Sequence, residues 1–298
     1  MKQRTGAGGR AFGWLAAVAA VFWCALSGVA AAKPAMWVVR DADSEIYLFG
    51  TLHMLSDGDA SWRTPLFDDV YERAGTLWFE ADVGDPAQAR ALMSRYGVDP
   101  ARPLTEKLSD RTMRRLTPLL ARERIPLSAV DSMRPWAAAM MLTAQPLLNR
   151  GYSMQKGADA VITDEAHGSA KQVHDFETTE DQMRMLAQLP QDVEVQYLED
   201  VIDDQVQPAH VGRSLEQAWA EGNLDLMAKW MVDDMRRNRP RLYEVLLKNR
   251  NEAWARALTV EMRGNGVELV NVGALHMIGK DGLPALLKAR GFTVERVQ

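Results

Sequence analysis

Near each end of the chain a short apolar run stops at the same polar signature. The first reads "YLFGTLHML" (Tyr47 to Leu55) and the second "LVNVGALHMIG" (Leu269 to Gly279). Each run is strand-like, and each ends in Gly-x-x-His-Met. Upstream of the first, "AMWVV" and "SEIYLF" flank a polar turn at Asp41 to Ser44, which predicts two strands. "PLFDDVYERAG" has helical spacing and stops at Gly75, and "TLWFEADV" (Thr76 to Val83) is a strand that ends in acids. The order is strand, helix, strand.

The middle of the chain has a different period. "PAQARALMSRYG", "SDRTMRRLTPLLARERI" and "RPWAAAMMLTAQPLLNRG" place apolar residues three and four apart, as helices do. Met133, Met140, Met141 and Met154 read as core along these segments. "GADAVITDEAHG" continues as a helix, "KQVHDFE" as a strand, and a further helix opens with capping-box spacing at Thr179 and Gln182. Residues 191 to 262 are again helical in pattern. The chain closes as strand, turn, helix, strand. The expectation is an α/β fold, with α+β as the variant. Its central mixed sheet is built from N- and C-terminal strands and flanked by helices, with a largely helical middle region. Residues 33–298 form one domain, with helical insertions at about 86–155 and 191–262.

The N-terminus changes the picture of where the fold begins. Lys2, Arg4 and Arg10 precede the apolar run "AFGWLAAVAAVFWCALSGVA", and small residues stand at Ala30 and Ala32. This is the pattern of a signal peptide over residues 1–32, cleaved after Ala32. A retained anchor is the competing reading, because the run approaches spanning length. Cleavage predicts a periplasmic or secreted protein with no remaining membrane span. The one cysteine, Cys24, lies in the leader, so the mature chain has no disulfide, thiolate nucleophile or cysteine-held metal. The full chain carries a net charge of −5, and the leader contributes only positive residues. An acidic mature chain argues against nucleic acid as a partner.

The repeated signature is the candidate chemistry. Glycine lets a strand turn sharply and approach another backbone closely. The histidine three residues later is then presented at the strand exit, where α/β folds collect their ligands. Two such strands side by side would bring His53 and His276 together, and paired imidazoles are suited to a divalent metal. A third ligand is often a carboxylate. Glu80, at the end of "LWFE", fits that place, and Asp82 shares its strand face by alternation. Glu177 in "HDFETTEDQ" is a second strand-end carboxylate, which also suits a helix N-terminus. His174 lies on the opposite strand face from Glu177 and reads as a surface residue. His167 reads as a helix-end residue, and His210 has no evident partner. Trp62, Trp78 and Trp136 read as core, with a substrate groove as the alternative.

Taken in order, the motifs resemble the TraB/GumN family, which is related to the Tiki-type proteins and to an erythromycin-esterase-like and ChaN-like superfamily. "YLFGTLHML", "LWFEAD", "KGADAVITDEA", "FETTEDQ", "KNRNEAW" and "VNVGALHMIGKDGLPALLKARGFTVE" carry the resemblance, from about Trp37 to the C-terminus. It implies a metal-dependent hydrolase-like site, with peptide-bond cleavage as the activity of Tiki-type members. The implied cofactor is a divalent metal, manganese or cobalt, with zinc as a further choice. By the same resemblance His53 and His276 match the motif histidines, Glu80 the glutamate and Arg250 the arginine, while Asp159 and Glu177 fall in matching segments; the expected roles are His53, His276 and Glu80 as holders of the metal or its water, Glu80 or Glu177 as general base, and Arg250 as stabiliser of the developing oxyanion. The expected partner is a peptide or other small substrate. Two readings stand beside this one. The first is a non-catalytic periplasmic protein that binds a peptide, a metal or haem in the same pocket. In the second, the histidines merely brace two strand turns.

Overall fold

The computed structural model describes residues 32–56, 62–82, 86–206 and 213–298. Residues 1–31 of the leader, Cys24 among them, and His210 lie outside the described residues. Six strands form one sheet: β1 (Met36–Arg40), β2 (Ser44–Thr51), β3 (Thr76–Ala81), β4 (Gln172–Glu177), β5 (Gly266–Gly273) and β6 (Thr293–Arg296). Their spatial order is β4-β3-β5-β2-β1-β6. β2 with β5, β5 with β3 and β3 with β4 run parallel, while β1 pairs antiparallel with both β2 and β6. The fold is thus the mixed α/β arrangement that the sequence pattern predicts, with the two ends of the chain meeting in its centre.

The two signature strands are adjacent. Thr51 pairs with Gly273 across β2 and β5, so the repeats leave the sheet together, one residue out of step. Their unbroken apolar runs follow from burial on both faces, as parallel strands require. Tyr47 and Phe49 enter the core on one face, and Ile46 and Leu48 enter it on the other. Each fully buried side chain of this size contributes roughly 1.5–3 kcal/mol.

Helices cover both faces. On the first face lie α1 (Pro65–Arg73) and, further along, α5 (Ala158–His167). The Thr64 hydroxyl caps α1 by accepting from the Phe67 N–H at 3.1 Å, and Pro65 suits the first helical position. Between them come α2 (Pro86–Tyr96), α3 (Asp110–Glu123) and α4 (Pro135–Leu148), and after β4 come α6 (Thr179–Ala187) and α7 (Gln191–Val206). Parts of α3, α4 and α7 enclose an apolar cluster of their own around Leu116, Leu142 and Ile202. On the second face lie α8 (Asn249–Glu261) and α9 (Leu283–Ala289). A π-helical turn at Glu244–Lys248 runs directly into α8. Such turns often accompany functional sites. No helix among the described residues is long and apolar enough to cross a membrane.

Some local expectations need correction. The capping box at α6 is formed by Thr178 and Asp181, one residue earlier than the spacing of Thr179 and Gln182 suggests. β4 ends at Glu177, so Thr178 is the extended residue that can cap. Met140 and Met154 are exposed, at 37% and 54%, so only Met133 and Met141 pack against the core as expected. Trp62 and Trp136 are buried, but Trp78 keeps partial exposure near an edge of the sheet.

Candidate active site at the paired strand exits

Where β2 and β5 end, His53 and His276 face one carboxylate. The Oε1 atom of Glu80 stands 4.0 Å from His53 Nε2 and 3.7 Å from His276 Nε2. Glu80 comes from β3, on the other side of β5. The same Oε1 accepts the Gly273 backbone N–H at 2.6 Å, and Oε2 accepts from Arg250 Nη2 at 2.7 Å. Glycine at position 273 keeps this space open. A Cβ there would meet Glu80 Oε1 at 3.0 Å and His53 Nε2 at 3.5 Å, and so would fill the hollow between the three groups.

Each imidazole is held from behind by a different partner. His53 Nδ1 donates to Asp159 Oδ2 at 2.8 Å. Asp159 is brought there by a strap: Ser153 N–H bonds to Leu55 O, and Ala158 N–H bonds to Leu52 O. Gly157 permits the strap, since a Cβ at that position would clash with the His53 carbonyl. His276 Nδ1 lies 2.6 Å from Asn251 Oδ1. The Asn251 amide nitrogen donates to the Asp281 carbonyl at 2.7 Å, so its oxygen is the atom facing the ring. His276 Nδ1 therefore carries the proton, and the Nε2 lone pair points toward Glu80.

The two rings differ in burial and charge. His276 is 4% exposed. Burial pushes its pKa down, Glu80 opposes this, and Arg250 and His53 add to the depression, leaving it at about 3. His53 keeps 56% of its side-chain surface accessible although it sits on a crowded rim. Crowding would lower its pKa, but the Asp159 carboxylate and then Glu80 raise it to about 9. Burial would raise the Glu80 pKa. The His276 ring, the Arg250 guanidinium and the His53 ring outweigh burial and, with the Gly273 N–H, hold Glu80 well below the usual carboxylate range.

Arg250 joins both carboxylates. Its Nε donates to Glu177 Oε1 at 2.9 Å, its Nη2 to Glu80, and its Nη1 to Leu246 O at 3.3 Å. Nη1 also lies 3.3 Å from His276 Nε2. The guanidinium sits over the Trp254 ring, 4.6 Å from its centroid. Glu177 accepts from Arg250, from Trp254 Nε1 at 3.1 Å and from Gln182 at 3.3 Å. The structure thus brings His53, His276, Glu80 and Arg250 together, and ties Glu177 to Arg250, away from the imidazoles. His174 is exposed and stacks on Trp78. Sequence reasoning missed Asn251 and left Asp159 without a role. Their one signal is position: Asn251 directly follows Arg250, and Asp159 lies two residues after Gly157.

Two imidazole nitrogens and a carboxylate oxygen are donors suited to a divalent cation, and the His276 tautomer and the hollow above Gly273 agree with that use. Asp159 Oδ1 is buried without a hydrogen-bond partner, which adds an unsatisfied acceptor beside the set. The set is open rather than closed: among the described residues no group of three or more His, Cys, Asp or Glu side chains is gathered tightly enough to hold a metal ion.

Comparison with known proteins gives this geometry a family. The chain is similar to the protein named "Uncharacterized protein YbaP" of Escherichia coli (strain K12), 27% identical over 274 residues that span 89% of this chain and 96% of that protein. It is similar to the protein of the same name from Shigella flexneri at the same identity and coverage. No solved structure matches the chain. A model of the TraB/PrgY/gumN family matches residues 35–296, a span that takes in every strand and every residue of the site, and the chain belongs to that family.

Proposed function

We propose that this protein is an exported, metal-dependent hydrolase that acts on peptide bonds. One observation carries the reading: two imidazole Nε2 atoms face a single ionised carboxylate oxygen within 4.0 Å, each ring fixed through its Nδ1 by a separate partner. His53, His276 and Glu80 would hold the cation. When bound, a divalent cation, manganese, cobalt or zinc, supplies Lewis-acid activation of a water and of a carbonyl.

The chain's own residues have distinct tasks in this reading. Asp159 and Asn251 fix the ring orientations through Nδ1; a carboxylate is a common outer support of a metal-binding histidine, and the Asn251 amide oxygen does the same work for His276. Arg250 holds Glu80 ionised and in place. Its donors are taken up by Glu80, Glu177, Leu246 O and His276, so it is a positioning residue, and Glu177 anchors it. His53, half-exposed at the rim, is the member that meets an incoming substrate.

The contact between Arg250 Nη1 and His276 Nε2 favours a second reading. A donated hydrogen bond there occupies the lone pair a cation needs, and a pocket kept in that state would bind a peptide without cleaving it. The assay that separates the two uses residues 33–298 with manganese, cobalt or zinc and a library of capped peptides, read by mass spectrometry. Cation-dependent cleavage that falls about 100-fold or more in Glu80→Gln is expected. Peptide retention without cleavage under every cation would replace hydrolysis with binding.

A further inference from the structure

β4 is an edge strand, and its free side leads into the site. The Gln172 N–H bonds inward to Gly75 O, so by alternation His174 and Phe176 also face β3 with their backbone groups. The N–H and C=O groups of Val173, Asp175 and Glu177 face outward. No strand pairs with that side among the described residues. "QVHDFE" contains no proline and no lysine, two of the devices by which sheet edges are blunted.

Beside this edge lies an open aromatic shelf. His174 stacks on Trp78 at 4.8 Å between ring centroids, Trp78 on Phe176 at 4.9 Å, and Phe176 on Trp254 at 5.1 Å. Trp254 in turn contacts His276 at 4.5 Å. His174 is exposed, and Trp78 and Phe176 keep partial exposure. The edge and the shelf end at the same place, because Glu177 is bound to the guanidinium that holds Glu80. On the opposite face of β4 stands exposed Asp175, whose carboxyl is raised first by burial and then by its acidic neighbour Asp82.

We propose that the outer edge of β4 is a docking strand for an extended peptide. The peptide pairs its backbone with Val173, Asp175 and Glu177, lays alternate aromatic or aliphatic side chains beside the Trp78–Phe176 shelf, and presents basic side chains toward Asp175. Outward groups at every second residue match an extended polypeptide, which is strand addition. The chemistry on the two faces sets the preference, apolar on one side and cationic on the other. This deepens the peptidase reading by naming how the substrate is gripped, and it rests on that reading only for the claim that the bound peptide is cleaved.

The test uses the His53→Ala protein, so that the probe is not consumed, and a capped peptide alternating lysine with phenylalanine. Two further probes carry N-methyl groups on alternate amides, one set on each edge of the peptide. Binding is followed by fluorescence anisotropy and by amide hydrogen exchange. The expected result is protection of the Asp175 and Glu177 amides, with one N-methylated probe bound about tenfold more weakly than the other. Asp175→Pro removes an outward N–H, a change an edge strand tolerates, and weakens the probe about tenfold. Equal affinity of the two methylated probes, or no protection on β4, overturns the docking strand. Binding without cleavage in the unmutated protein sinks the hydrolase reading alone. Cleavage with both methylated probes bound alike sinks the docking strand alone.

Discussion

The two Gly-x-x-His-Met copies are near-duplicates in sequence and opposites in environment. His53 is half-exposed, paired with a carboxylate and raised to about 9. His276 is buried, paired with a neutral amide and lowered to about 3. Near pH 7 and without a cation, one ring is charged and the other neutral. A repeated motif therefore delivers the same atom to the same place while its second partner decides the charge. The difference suits a site that needs one fixed lone pair and one group at its mouth.

Deleting each ring in turn should separate the two histidines most widely. His276→Ala leaves a cavity beside Trp254 and an unsatisfied Asn251 oxygen, and should cost about 3 kcal/mol in urea unfolding. His53→Ala should cost about 1 kcal/mol or less, because its surroundings are open. Equal losses would show that the burial contrast is not real in solution. Both variants should lose hydrolysis.

The outer partners come next. Asn251→Ala and Asp159→Asn should each weaken manganese binding about 10–100-fold by calorimetry. Asp159→Asn should also return the His53 pKa in the cation-free protein from about 9 toward its ordinary value, as followed by NMR titration. An unchanged titration would remove Asp159 from its role.

The pH dependence of cation-free stability sharpens the contrast through its sign. The raised His53 pKa gives stability that is present below the unfolded value, near 6.5, and is lost as pH rises through about 9. The lowered His276 pKa works in the other direction: its stability is present above about 6.5 and is lost as pH falls toward 3. Denaturant midpoints measured across this range should fall at both ends, and His276→Ala should flatten the acid limb. A smaller effect is expected from His174→Ala, within about 0.5 kcal/mol and with no change in cation response.

Much of the frame was legible in the sequence. Apolar runs at the ends marked the strands, and the helical period marked the middle. The shared signature pointed to adjacent strand exits, because glycine followed by histidine has the same local mechanics in both copies. Glu80 was legible as a strand-end acid. What was not legible depends on contacts across long separations. Asp159 reaches His53 over 106 residues, and Asn251 lies within a helix where an amide reads as surface. Glu177 carried the same signature as Glu80, yet its strand is the outer one, so Arg250 and Trp254 meet it first. The edge position of β4 follows from strand order, which local periodicity does not contain.

In the proposed function His53, His276 and Glu80 form one cation-holding site. The decisive measurement is the melting of residues 33–298 with and without manganese, cobalt or zinc, beside the His53→Ala/His276→Ala double variant. At least one cation should raise the melting temperature of the unmutated protein and leave the double variant unmoved. An identical response of the two proteins, or none in either, would contradict it.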